Sequence, residues 1–175
     1  MPEGSPTRQF AGAVISINVT GPHLEGNGFH LRGRDTMTKR KRVLFVCIEN
    51  SCRSQMAEAF AYLYAQDSIQ AYSAGSRPSG WINPKAMAVM AELGYGLDSH
   101  TSKSLLEIPN IKYDYVITMG CGDECPFIAA EFHEDWAIPD PKELPLEQFR
   151  QVRDQIGGRV KDLAARIEAG NHAEK

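Results

Sequence analysis

No run of apolar residues in this 175-residue chain approaches the roughly 18 to 20 that a membrane-spanning helix requires. The first residues also lack the basic-then-apolar order of a secretory signal. A membrane partner is therefore not expected, and the cytoplasm is the expected compartment. Positive charge is not in surplus either: 19 Lys and Arg stand against 22 Asp and Glu, a net charge of −3. A protein that grips a phosphate backbone carries a basic patch or stripe, so no nucleic-acid partner is expected. The one basic cluster, Lys39-Arg40-Lys41-Arg42, reads as the solvated flank of a strand. There is no internal repeat, and the histidines at 23, 30, 100, 133 and 172 show no ligand-like spacing and read as surface residues. Cysteine is sparse, with four residues at 47, 52, 121 and 125. In a reducing compartment, thiols at loop positions point to chemistry rather than to disulfide staples.

With 42% hydrophobic and 23% charged residues, the chain can fill one core. Residues 1–40, rich in Gly, Pro, Ser and Thr, read as a poorly ordered extension with one short β-like run at 13–17. Met37 is a natural start for the domain. The domain itself is expected over 41–169, with a tail at 170–175. From Arg42 onward strand and helix signals alternate, the pattern of an α/β fold with a parallel sheet. Strands are expected up to Val46, over Ile69–Ala74 and Tyr113–Thr118, and in a short fourth segment at Trp136–Ile138. A first helix would turn Met56, Phe60 and Leu63 inward. A second would be capped by Asn83, with Pro84 at its first position and Gly94 beyond its end. The last carries Leu146, Phe149, Val152, Ile156, Val160, Leu163 and Ile167, interrupted at Gly157-Gly158. Such a small doubly wound domain binds ligands at the carboxyl ends of its strands, where Cys47, Ser73, Cys121 and Asp140 all fall.

The octet Cys47-Ile48-Glu49-Asn50-Ser51-Cys52-Arg53-Ser54 lies between the first strand and the first helix. A loop there lets backbone N–H groups and a helix N-terminus converge on one small volume and hold an oxyanion. Thiolates are favoured in such a field, and the Arg53 fork can grip a tetrahedral anion through two oxygens. One loop thus offers a nucleophile, Cys47, and a clamp built from residues 48–54. Ser54 is placed to hydrogen-bond Cys47, Asn50 to hold the loop's shape, and Cys52 to serve a structural role. A structural zinc on the four cysteines would consume the nucleophile and leave Arg53 without purpose, so no metal is expected.

The octet and the following Gln55-Met56-Ala57-Glu58 resemble the low-molecular-weight tyrosine phosphatase superfamily, and more closely its thioredoxin-coupled arsenate reductase branch. Ser73-Ala74-Gly75-Ser76, Asn83-Pro84, Thr118-Met119-Gly120-Cys121-Gly122, Cys125-Pro126 and Asp140-Pro141 are further landmarks. The resemblance implies a four-stranded sheet of order 2-1-3-4, with Asp140 as general acid. It also implies reduction of arsenate to arsenite, with phosphate or sulfate as anion analogues. Water suffices to resolve a phosphatase adduct, but reduction needs electrons. Cys121 could supply them by attacking Cys47 in its arseno-adduct, and Cys125 could then move the disulfide outward. An external thiol reductant, thioredoxin first and glutaredoxin or a small thiol as alternatives, would close the cycle; no bound cofactor is implied, and a monomer is expected. A phosphatase acting on phosphomonoesters, or a redox-sensing or anion-binding protein without turnover, are the other readings. Two departures stand out. The family often has glycine at the position of Glu49, so a carboxylate here sits on the anion loop and either points outward or weakens anion affinity. The family also spaces the last two cysteines more widely than Cys121 and Cys125.

Overall fold

The computed structural model describes residues 39–170, so the readings made for residues 1–38 and 171–175 lie outside it. Within it the order is β1 (Lys41–Cys47), α1 (Arg53–Tyr64), β2 (Ile69–Gly75), α2 (Pro84–Ala91), β3 (Tyr113–Thr118), β4 (Ala130–Asp135) and α3 (Leu146–Glu168). The four strands form one parallel sheet ordered β2-β1-β3-β4. That is the expected α/β architecture and the expected order. Cys47 pairs with Gly75, Val46 with Thr118 and Thr118 with Asp135, which brings all four carboxyl ends to one edge.

Strand β1 is central, and its last five residues are buried on both faces, which explains its continuous apolar run. Val43 and Phe45 join a core with Met56 and Phe60 of α1, Val89 and Met90 of α2, and Phe149 and Ile156 of α3. Leu44 and Val46 face the other way, into a smaller cluster with Ala74, Tyr113 and Val116. Leu105, Ile108, Ile111, Cys125 and Ile128, all from connecting segments, close that second side. Helix α2 starts as expected: the Asn83 side chain accepts a hydrogen bond from the Lys85 N–H at 2.8 Å, and Pro84 occupies the first turn.

Four details differ from the sequence reading. The fourth strand is Ala130–Asp135, not Trp136–Ile138. As an edge strand it alternates half-buried with exposed residues and carries Glu131, Glu134 and Asp135, so it looks like a polar loop in the sequence. Trp136 and Ile138 are buried, but Ala137 between them has φ 48°, outside the extended region. Leu63 does not face the core and is 37% exposed. Helix α3 runs through Gly157-Gly158 without a break. A Cβ at Gly157 would stand 3.0 Å from the Phe60 ring, so glycine there lets α3 lie close against α1. Finally, the His100 side chain is only 7% exposed and belongs to a buried network. Among the described residues no helix is long and apolar enough to cross a membrane, and no group of three or more His, Cys, Asp or Glu is placed to hold a metal ion.

Candidate active site

The segment that follows β2 runs alongside the octet and takes up its carbonyls. The N–H groups of Ser76, Arg77, Ser79 and Asn83 donate to the carbonyl oxygens of Cys47, Ile48, Glu49 and Ser51, at 2.8 to 3.2 Å. In a trans peptide the C=O of one residue and the N–H of the next point in opposite directions. Turning those carbonyls outward therefore turns the N–H groups of residues 48, 49, 50 and 52 toward the inner side of the loop. Gly75 permits the approach, since a Cβ there would meet the Ile48 carbonyl oxygen at 2.6 Å and the Asn50 nitrogen at 2.9 Å.

Cys47 sits at the end of β1 with its side chain buried. The Asn50 N–H donates to its sulfur at 3.2 Å, and Ser54 Oγ lies 3.0 Å from it. Asn50 Nδ2 donates to Ser54 Oγ at 2.8 Å, and a Cys47 thiolate, which carries no hydrogen, would accept from the Ser54 hydroxyl. The Asn50 N–H and the Ser54 hydroxyl thus both lie within hydrogen-bonding reach of the Cys47 sulfur. Asn50 adopts φ 48°, a left-handed conformation that asparagine tolerates better than most residues. It is held there from several sides: Nδ2 also donates to Ser73 Oγ at 3.0 Å, while Oδ1 accepts from Gln55 Nε2 and from the Lys103 N–H, both at 2.8 Å.

Behind Asn50 the network continues. Ser73 donates to Glu58, whose carboxylate lies 3.6 Å from Lys103 Nζ and 3.9 Å from His100 Nδ1. His100 Nδ1 donates to Gln55 Oε1 at 2.8 Å, so Nε2 is the acceptor from the Tyr95 hydroxyl at 3.1 Å. Burial holds the His100 pKa below its usual value; Glu58 opposes that shift and Lys103 adds to it. The sequence placed Ser73 at the ligand-binding edge and Glu58 in the Gln-Met-Ala-Glu run that continues the octet, but it singled out neither of them, nor His100 or Lys103, for this support.

Arg53 opens α1 and is buried. Its Nη1 donates to the carbonyls of Met119 and Ile138 at 2.9 and 3.1 Å, and Nη2 to Asp140 Oδ2 at 3.0 Å. The guanidinium therefore ties the octet to the ends of β3 and β4. Asp140 is half exposed, and its Oδ1 accepts from the Lys142 N–H at 3.1 Å. Glu49 forms an ion pair with Lys142, Oε1 to Nζ 2.7 Å, and its other oxygen accepts from Ser51 Oγ at 3.3 Å. Lys142 holds the Glu49 carboxyl below the usual carboxylate range; burial opposes this, and Ser51 and Arg53 assist. The Glu49 carboxylate is thus paired with a lysine 93 positions away, a partner that the sequence reading did not name.

The remaining cysteines divide. Burial pushes the Cys52 thiol up to about 12, with its contact to Ser51 opposing the shift. Cys121 follows β3 and is buried; its thiol points at the Val46 carbonyl 3.7 Å away, the residue next to Cys47. The Met119 N–H bonds that same carbonyl at 3.1 Å. A single short turn, Gly122–Glu124, joins Cys121 to Cys125, which is half-buried. Burial first, then the neighbouring thiols Cys121 and Cys47, push Cys125 up to about 12. All four cysteines are free.

Residues 42–173 match the family model described as low molecular weight phosphotyrosine protein phosphatase. A glutaredoxin arsenate reductase of Synechocystis sp. is 42% identical over 130 residues, which span 73% of this chain and 98% of that protein. A structure described as an arsenate reductase in the phosphate binding state superimposes with a TM-score of 0.66 at 40% identity, over 73% of this chain and 98% of that one. A thioredoxin-dependent arsenate reductase of Corynebacterium glutamicum gives a TM-score of 0.61 at 31% identity, over 76% of this chain and 64% of that one. With a match over most of its length and relatives this similar, the chain belongs to the low molecular weight phosphotyrosine protein phosphatase family.

Proposed function

We propose that this protein reduces arsenate to arsenite, using Cys47 as nucleophile, residues 48–54 as the oxyanion cradle, Asp140 as general acid, and Cys121 and Cys125 as the disulfide relay. The observation that carries this reading is the placement of the thiols. A phosphatase of this fold needs Cys47 alone, yet Cys121 contacts the carbonyl of the residue preceding Cys47, and Cys125 lies within the electrostatic reach of both. The arsenate reductases among the relatives point the same way.

The Cys47 thiolate attacks arsenic, one arsenate oxygen departs, and Asp140 supplies its proton so that water leaves. The amides of the loop and Arg53 balance the charge on the oxygens that remain. Cys121 then attacks the Cys47 sulfur. The new S–S bond forms as the S–As bond breaks, and the electron pair of that bond stays on arsenic, which leaves as arsenite, two electrons richer. Cys125 attacks Cys121 next, freeing Cys47 and moving the disulfide to Cys121–Cys125. Two of the groups that oppose ionisation of Cys125 are then already neutral, because Cys47 and Cys121 are joined in a disulfide when Cys125 must act. An external dithiol, thioredoxin or glutaredoxin, restores the resting enzyme.

The test is arsenite release and aryl phosphate hydrolysis measured on the same Cys121→Ser protein. Loss of arsenite release with hydrolysis retained is the expected result, since water can still resolve a phospho-adduct on Cys47. Retention of both would return the chain to a phosphatase without a relay, and absence of turnover in the wild type would leave only an anion-binding or redox-sensing role.

A further inference from the structure

An anion-binding loop that carries a carboxylate works against itself, because a negative charge beside the cradle repels the oxyanion it is to hold. Glu49 is that carboxylate, and it is held between Ser51 Oγ and Lys142 Nζ. Lys142 is not an arbitrary counter-ion. Its own N–H bonds Asp140 Oδ1 at 3.1 Å, and Asp140 Oδ2 is bonded by Arg53 at 3.0 Å. From the other side Lys85 of α2 reaches the carbonyls of Lys142 and Leu144, at 3.3 and 2.8 Å. The backbone of Glu49 is equally anchored, its carbonyl accepting from the Ser79 N–H at 3.0 Å and from Ser102 Oγ at 2.8 Å. The ion pair thus joins a fixed point on the anion loop to a fixed point two residues beyond Asp140.

We infer that Glu49 and Lys142 form a latch that sets the position of Asp140 above the Cys47 loop and, through the same contact, sets the affinity of the loop for a tetrahedral oxyanion. Both are positioning residues. The latch rests on the assignment of Cys47 and Asp140 made above. It has an asymmetric consequence for substrate. Without Lys142, the Glu49 charge faces the incoming anion; without Glu49, the Lys142 ammonium is released and attracts it. Either loss removes one tie between the Asp140 segment and the loop and leaves the one that Arg53 makes.

The experiment is a double-mutant cycle on the full-length protein with Glu49→Gln, Lys142→Met and the double variant, together with the charge exchange of Glu49→Lys and Lys142→Glu. It reads single-turnover formation of the Cys47 adduct and the KM for arsenate. Sulfate affinity is measured in a Cys47→Ser background. For a partly exposed ion pair the expected loss of single-turnover rate is about two- to fivefold in each single variant. In the double variant that loss does not deepen, because one contact is already gone. KM and the sulfate dissociation constant rise in Lys142→Met and fall in Glu49→Gln. The charge exchange recovers most of the rate, which a generally damaged fold would not do. Rate losses that multiply in the double variant, or KM shifts of the same sign in both singles, would overturn the latch. If instead Cys47→Ser still releases arsenite, the site assignment itself fails, and the two failures are separate.

Discussion

The loop from Cys47 to Arg53 and the segment from Cys121 to Phe127 lie at the same sheet edge and are built on opposite plans. In the first, the side chains of Asn50, Ser54 and Arg53 are buried and bonded, and four loop carbonyls are satisfied by the chain after β2. In the second, one short turn carries the backbone, Cys125 is half-buried, and Phe127 is 84% exposed with its ring stacked on His133. The chemistry proposed for each accounts for the difference. Stabilising charge on arsenate oxygens depends on dipoles that are already in place. Passing a disulfide from Cys47–Cys121 to Cys121–Cys125 requires sulfur atoms to exchange partners, and then one of them must meet a protein from outside.

The sharpest way to break this comparison is to damage the pre-set half. Cys47→Ser should reduce arsenite release to background, and Arg53→Ala should lower it by about 10²- to 10³-fold, as for the loss of an oxyanion-stabilising group. Arg53→Lys, which keeps the charge, should also be poor because an ammonium does not reproduce the planar fork. Asp140→Asn should slow single-turnover adduct formation by about 10²-fold with sulfate binding nearly intact. Wild-type turnover by either Arg53 variant would remove the clamp from the account.

Damage to the mobile chemistry should look different. Cys125→Ser should complete about one turnover and then stop, with a Cys47–Cys121 disulfide visible by mass spectrometry after alkylation. Sustained turnover of that variant with thioredoxin as sole reductant would show that two cysteines suffice.

Stability should follow the same division. Asn50→Ala removes a side chain bonded to Ser54, Ser73, Gln55 and Lys103 and should cost about 2 to 3 kcal/mol in denaturant unfolding. Phe127→Ser, on the exposed segment, should change stability by less than about 0.5 kcal/mol. Equal losses would mean that the two regions are held alike.

A smaller effect is expected from pH. The folded pKa of His100 lies below its ordinary value of 6.5, so the unfolded chain binds the proton more readily. Its contribution to stability is fully present above 6.5 and declines as the pH falls through that value toward the folded pKa. Thermal unfolding at pH 7.5 and 5.5 should therefore show a drop in Tm on acidification that is reduced in His100→Gln. The smallest effect is expected from a chain beginning at Met37, which should keep its Tm and arsenite release. A drop of several degrees in Tm or a several-fold loss of arsenite release would place the preceding residues within the domain.

Much of this molecule could be read before its structure. Local order along the chain identified the parallel α/β plan, because buried strands read as apolar runs and α3 repeats its apolar residues every three or four positions. The octet suggested a nucleophile and an anion clamp together, the roles proposed for it above, since its residues lie on one short loop. The edge strand was misplaced by the same reasoning, because Ala130–Asp135 has only one half-buried face and its charges hide the alternation. Gly157 looked like an interruption because its value lies in the space it leaves for Phe60, on another helix.

What the sequence by itself determined about this protein is whatever depends on neighbours in the chain: the helix and strand periods, the cap at Asn83, and the Cys47-to-Arg53 loop. Only the tertiary structure decided what rests on contacts across the chain. It turned His100 from a surface residue into a buried member of the network behind Asn50, and it gave the Glu49 carboxylate a partner in Lys142. It also set the Cys121 thiol against the carbonyl next to Cys47. The physical reason is that hydrogen bonds and ion pairs act over about 3 Å, a distance that periodicity fixes within one element but that only the packing of separate elements can fix between residues 93 positions apart.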